Sequence, residues 1–281
     1  MSKKKALIVT QEMEPYTVLN ELSEIARKLP QYIQEKGMEI RVLMPRFGLI
    51  NERRHRLHEV VRLSGMNIIV DDDDYPLIIK VASLPGARIQ VYFLDNDDFF
   101  KRKALFNEQV DGEEEGQKVD GKPFDDNIER MVFFSKGVVE IVKKFGWAPD
   151  IVHCHGWMTS LIPFYIKTTY NSEPLFEHSK LIYSLYESDI HQSFDQSFAT
   201  KAAINNLEED DLSSYLDKNG VNLNQGALSN SDALIIGNKE ISTDTQKLID
   251  TFGGPILKIE EEEEYLPKYL DFYKELMEEA E

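Results

Sequence analysis

The sequence predicts an α/β protein built on a largely parallel sheet, and three observations carry that expectation. Ala6-Leu7-Ile8-Val9-Thr10 is a continuous apolar run with β-branched members, the pattern of a strand buried on both faces. The apolar spacing then changes to three and four residues, and Glu39-Ile40-Arg41-Val42-Leu43-Met44 returns to a strand pattern. Strand, helix and strand in that order form a βαβ unit, whose crossover is right-handed. Further short apolar runs entered through Pro149-Asp150 and Ser231-Asp232 continue the alternation.

Each element has a local reason. Val18, Leu22, Ile25, Ala26, Leu29 and Ile33 fall at helical spacing, and Gly37 stands where that helix stops. Pro45 closes the second strand. Ile68 to Val70, Leu77 to Ala82 and Ile89 to Phe93 are strand-like runs separated by Asp71 to Asp74 and by Pro85-Gly86, which predicts an antiparallel meander attached to the main sheet. From Asp125 to Phe145 the helical period returns through Ile128, Met131, Val132, Val138, Val142 and Phe145. Ile151 to Cys154, Leu181 to Leu185 and Ala233 to Ile236 supply three more strands. The tail carries Tyr265, Leu266, Tyr269, Leu270, Tyr273, Leu276 and Met277 at helical spacing, a stripe that packs on its own domain or fills a partner's groove. The expected organisation is a main domain over 1–245, then an acidic linker and amphipathic helix over 246–281.

The chain has 281 residues, with 32 Lys plus Arg against 50 Asp plus Glu and a net charge of −18. That balance argues against nucleic acid and anionic membranes as partners, because both need a cationic surface. The apolar runs are far shorter than the roughly 20 residues of a membrane span. Only four apolar residues follow the basic start before Gln11, too few for a secretory signal, so a cytoplasmic location is expected. The single cysteine, Cys154, forms no internal disulfide. The acidic stretches Asp111 to Glu115 and Glu208 to Asp211 read as solvated loops, and Glu260 to Glu264 leads into the tail helix.

Gly116 to Lys122 fits the G-x-x-x-x-G-K template, but Pro123 replaces the metal-binding hydroxyl and no strand precedes it, so a phosphate loop is rejected. Alternation along a strand puts His153 and His155 on one side and Cys154 on the other. Two imidazoles alone make an incomplete zinc site. They read as hydrogen-bonded histidines at the sheet's carboxyl edge, Cys154 reads as packing, and no metal or cofactor is expected. Arg46, Arg53, Arg54, His55, Arg56, His58 and Arg62 form a basic island. It either pairs with the chain's own carboxylates or takes a phosphorylated or carboxylated ligand.

Several of these pieces recur in a family order: Ala6 to Tyr16, Leu29-Pro30, Gly37 to Arg46 with Phe47-Gly48, Val91 to Asn96, Asp126-Asn127 with Arg130 and Phe133-Phe134-Ser135, and Gly146 to Trp157. On these residues, from about Lys5 to about Glu240, the chain resembles the N-terminal half of bacterial glycogen and plant-type starch synthases. Those enzymes are retaining glycosyltransferases that move glucose from ADP-glucose onto an α-glucan. The resemblance implies a single Rossmann-like domain corresponding to the first half of a two-domain GT-B fold, whose active site lies in the cleft between the halves. A chain of 281 residues leaves no room for the second half, and the tail helix is expected to pack back on the first.

The resemblance also implies altered site motifs. The family's Lys-Thr-Gly-Gly-Leu falls on Val18-Leu19-Asn20-Glu21-Leu22, which loses the lysine and places a carboxylate where a diphosphate is cradled. His-Asp-Trp falls on His155-Gly156-Trp157, and Thr-Ile-His-Asn falls on Ser184-Leu185-Tyr186-Glu187. No catalytic residue is therefore assigned. The candidate ligand cleft comprises Tyr16, Val18, Asn20, Glu21, His153, His155, Trp157 and Tyr186, at the edge where open α/β sheets bind ligands. Tyr16, Trp157 and Tyr186 read as surfaces for stacking on a sugar. The functional expectation is a non-catalytic interaction, regulatory or carbohydrate-binding module for an α-glucan or sugar phosphate. A protein partner or a second copy would dock on the apolar Val18 and Leu19 face, and the tail stripe would cover the opposite region. The alternative is a half-enzyme of α-glucan synthesis, completed by a separately encoded domain.

Overall fold

Four consecutive residues with no exposed surface, Ala6 to Val9, make β1 (Lys5–Thr10) the centre of the main sheet. The computed structural model describes residues 3–108, 121–187, 194–195, 197–238, 240–259 and 265–278. After β1 come α1 (Glu21–Glu35), β2 (Glu39–Pro45), α2 (Glu52–His55), β3 (His58–Glu59), β4 (Met66–Val70), β5 (Asp73–Ser83), β6 (Gln90–Asp95) and α3 (Asp97–Phe100). The chain continues through α4 (Asn127–Phe145), β7 (Ile151–His155), α5 (Leu161–Lys167), β8 (Lys180–Leu185) and α6 (Ser197–Ala202). It ends with β9 (Leu216–Asp217), β10 (Gly220–Val221), α7 (Leu223–Ser229), β11 (Ala233–Ile236), α8 (Thr243–Asp250), β12 (Ile256–Lys258) and α9 (Tyr265–Glu278).

The strand order is β12-β11-β8-β7-β1-β2-β6-β5-β3, and β4 pairs with β5. Strands β12 to β6 along that order are parallel, whereas β5 runs antiparallel to β6, β3 and β4. The expected meander is therefore β4-β5-β6, and its last strand also joins the parallel sheet through Val42↔Val91. Strand β12 was not anticipated, because Ile256-Leu257-Lys258 is short and lies among polar residues; it adds to β11 through Leu234↔Ile256.

Helix α1 starts later than the apolar spacing suggests. Asn20 is its N-cap, accepting from the Ser23 amide at 2.8 Å while its own amide donates to Ser23 Oγ at 2.9 Å, so Val18 lies before the helix. Its buried stripe, Leu22, Ala26, Leu29 and Ile33, faces β1 and β2. Helix α4 packs so tightly that a Cβ on Gly137 would stand 3.0 Å from Leu94, and Gly146 ends the helix at φ +59°. Helices α4, α5 and α7 cover one face of the sheet, and α1 and α9 lie together on the other. Helix α9 buries Tyr269, Leu270, Phe272, Tyr273, Leu276 and Met277, so the tail stripe packs on its own domain. Glu208 to Asp211 is exposed, while Asp111 to Glu115, Glu260 to Glu264 and most of Gly116 to Lys122 lie outside the described residues. Among the described residues no helix is long and apolar enough to cross a membrane.

Arg130 pins α4 to the loop after β6. It is fully buried; its Nε donates to the Phe99 carbonyl at 2.8 Å, its Nη1 to Asn127 Oδ1 at 2.8 Å, and the Phe47, Phe100 and Phe124 rings surround it. Burial lowers its pKa to about 9, which leaves it charged at neutrality. Arg130→Leu strips both acceptors of their donor, and urea unfolding should show a loss of about 3 kcal/mol. Arg130→Lys should recover only part of it, since an ammonium lacks the planar fork.

Candidate functional site

The turn after β1 sets the carboxyl edge. Thr10 Oγ1 donates to the Glu12 carbonyl at 2.6 Å, and Glu12 accepts from Gln11 Nε2 at 3.2 Å and from Asn20 Nδ2 at 2.8 Å. Asn20 thus caps α1 with its oxygen and holds Glu12 with its nitrogen. The Glu21 carboxylate accepts from Asn238 Nδ2, which ties α1 to the loop after β11. Val18 and Leu19 stay exposed, Leu19 at 65%. A helix start favours an anion by about 1 kcal/mol. A carboxylate 4 Å from a phosphate charge opposes it by about 1 kcal/mol in water and about 4 kcal/mol at an effective dielectric constant of 20. With Glu12, Glu21 and Glu24 at this helix start, the balance is against a phosphate.

His153 and His155 share a face, with ring centroids 3.8 Å apart. His153 Nδ1 hydrogen-bonds the Tyr273 hydroxyl at 2.6 Å and its Nε2 the Ser184 hydroxyl at 2.7 Å, so a neutral ring donates through one nitrogen and accepts through the other. His155 Nδ1 hydrogen-bonds the Tyr186 hydroxyl at 3.0 Å, while its Nε2 is buried without a partner among the described residues. Burial pushes His153 well below its ordinary 6.5, with His155 adding to the effect, and burial lowers His155 to about 3. Cys154 faces the other way, fully buried, and burial raises its thiol pKa. Among the described residues no three His, Cys, Asp or Glu side chains group as metal ligands.

Two expectations are corrected here. His153 lies in the middle of β7, so its side chain meets α9 on the sheet face and is not offered at the edge. The tail stripe meets His153 there through Tyr273 and rests on α1. Tyr16, Trp157 and Tyr186 are 3%, 7% and 8% exposed and present no stacking surface. Tyr16 packs edge-on against Phe93 and His55, Trp157 lies between Phe106 and Phe194, and Tyr186 is pressed against Gly237. Val18, Leu19, Asn20 and Glu21 do gather at the carboxyl edge, with Val18, Leu19 and Glu21 on the surface. In the basic island Arg46 pairs with Glu52 and Asp95, and Lys80 bridges the same two carboxylates at 2.7 Å. Arg53, Arg54 and Arg56 are exposed.

A family model described as starch synthase catalytic domain matches residues 5–249. The chain belongs to the starch synthase catalytic domain family. It is 34% identical over 220 residues to a glycogen synthase of Chlorobium limicola, covering 78% of this chain and 42% of that protein. To a glycogen synthase of Chlorobium luteolum it is 33% identical over 237 residues, covering 84% of this chain and 46% of that protein. The chain thus spans less than half the length of these relatives. Its fold is similar to half of the catalytic domain of starch synthase IV from Arabidopsis thaliana bound to ADP and acarbose, with a TM-score of 0.67, 19% identity, and coverage of 98% of this chain and 50% of that one. The parallel sheet is that of a GT-B catalytic domain.

One departure from the starch synthase pattern has a structural cause. Gly156 adopts φ +86°, and a Cβ there would stand 2.4 Å from the Gln11 side chain, whose Oε1 accepts from the Met158 amide at 3.2 Å. Gln11 thus fills the space that a side chain at position 156 would need, a role invisible in the sequence except as an unexplained glycine. Gly156→Asp should therefore cost about 2 kcal/mol or more in thermal or urea unfolding, with Gln11→Gly relieving the clash but not the strained φ.

The histidine pair fixes a pH dependence. A ring neutral when folded and titrating near 6.5 when unfolded makes stability fall as pH drops below about 6.5. From about pH 7 to about pH 5 the loss should be about 2 kcal/mol per ring. Urea unfolding at both pH values checks it, and His155→Gln should show a shallower decline than wild type.

Proposed function

We propose that this chain is a non-catalytic module of glycogen synthase type that acts by association, with an α-glucan or sugar phosphate as its small-molecule class. One observation carries the reading: the carboxyl edge is closed from within. His155 is fully buried beneath Tyr186, whose hydroxyl meets its Nδ1, and carboxylates front the helix start where a leaving diphosphate would need amides or cations. The exposed pair Val18 and Leu19 is the surface for a protein partner or a second copy. A second reading, a transferase half completed by another domain, is favoured by the match to under half of each glycogen synthase.

The purified chain should transfer no glucose from ADP-glucose to glycogen above a heat-treated control. Turnover that survives repurification would remove the first reading. If Val18→Lys, Asn20→Gly and Glu21→Gly together confer ADP binding by calorimetry, the loop is what excludes the nucleotide. Leu19→Glu should weaken self-association in sedimentation while leaving the unfolding midpoint unchanged.

A further inference from the structure

At the amino edge of the sheet, the end away from the candidate cleft, lies a groove of about 470 Å³ between the starts of β2 and β6. Its polar lining comes from Gln34, Arg41, Ser83, Arg88, Gln90 and Tyr92. The Arg41 guanidinium lies 4.2 Å from the Phe145 ring centroid and 4.7 Å from that of Trp147. Two rings fix its plane, so its N–H edge is held ready before any ligand arrives. Its Nη1 is covered and has no hydrogen-bond partner among the described residues, so a ligand in the groove would meet the guanidinium through its other N–H groups.

The rest of the lining agrees. Arg88 is exposed on the β5–β6 turn, which is held against α1 by Gln34 Nε2 donating to the Arg88 carbonyl at 3.1 Å. The Tyr92 hydroxyl donates to Gln90 Oε1 at 3.1 Å, which leaves the Gln90 amide nitrogen to donate elsewhere. Ser83 adds an exposed hydroxyl. Glu39, the carboxylate acting on Arg41, is engaged by the Trp147 indole at 2.5 Å, and a further cation, Arg62, acts on Arg41 from nearby. In a chain of net charge −18, two arginines lining one groove with no carboxylate among its lining residues form a local exception.

We propose that this groove binds a phosphate monoester, with Arg41 and Arg88 on the phosphate oxygens and Ser83 and Gln90 donating beside them. A multiply charged group with several acceptor oxygens matches two guanidinium forks better than a single carboxylate does. The site is separate from the carboxyl edge and does not depend on whether that edge binds a ligand.

Calorimetric titration at low ionic strength tests it, with inorganic phosphate, glucose 1-phosphate and uncharged glucose as probes. Both phosphates should bind and glucose should not. Tighter binding of glucose 1-phosphate assigns the site to an ester, and equal affinities assign it to the free ion. Arg88→Gln removes an exposed side chain and should weaken binding about tenfold without moving the unfolding midpoint. Arg41→Lys keeps the charge, loses the stacked fork, and should weaken it as well. Absence of phosphate binding, or binding that both variants retain in full, overturns the proposal.

Discussion

Two imidazoles buried side by side on one face of β7 impose the requirement on which the carboxyl half of this domain depends. Neither ring can be charged there, and a neutral imidazole in an apolar layer still needs partners for its nitrogens. For His153 those partners are Tyr273 and Ser184, and for His155 the partner is Tyr186. Meeting the first demand brings α9 over the sheet, where it rests on α1. Helix α1 in turn begins where Asn20 caps it, and Asn20 also holds Glu12. One polar pair thus links the tail, the first helix and the first loop.

The departures from the starch synthase pattern fit that arrangement together and not singly. Gly156 is matched by Gln11, which fills the space a side chain would need. Tyr186 is matched by His155 below it and by Gly237 against its ring. Glu21 is matched by Asn238. Each of these three positions has a specific neighbour, while the Nε2 of His155 is buried with no partner among the described residues. A coupled set of this kind argues that the closed edge is the stable form of the domain, because reverting any single position meets a partner shaped for the present residue.

Local pattern made most of the frame legible. Strands β1, β2, β7, β8 and β11 are short apolar runs, and α4 is a long periodic one, so period alone identifies them. The site was only partly legible for a different reason. That His153 and His155 share a face follows from alternation, yet the partner of His153 is 120 residues away, and no spacing links them. The start of α1 was misplaced because Val18 fits the apolar period while the cap depends on Asn20 and Ser23 together. The burial of Tyr16, Trp157 and Tyr186 is decided by Phe93, Phe106 and Gly237, all remote in sequence, so no local pattern reveals it. Arg41 read as one polar residue in a strand; the rings that aim it belong to the end of α4 and the turn after it.

The two ends of the sheet consequently differ in what they do to an anion. At the carboxyl edge, Glu12 and Glu21 stand at a helix start whose Ser23 amide is already accepted by Asn20. At the amino edge, Arg41 and Arg88 line one groove, with Arg88 exposed. Parallel sheets with helical crossovers normally place their ligand sites at the carboxyl edge, because helix starts there supply amides. Once those amides are capped and fronted by carboxylates, that advantage is gone, and an anion gains more from fixed guanidinium groups than from any helix terminus. On the reading proposed above the parallel sheet is kept while the groups suited to an anion lie at its amino edge, so the fold by itself does not assign the chemistry.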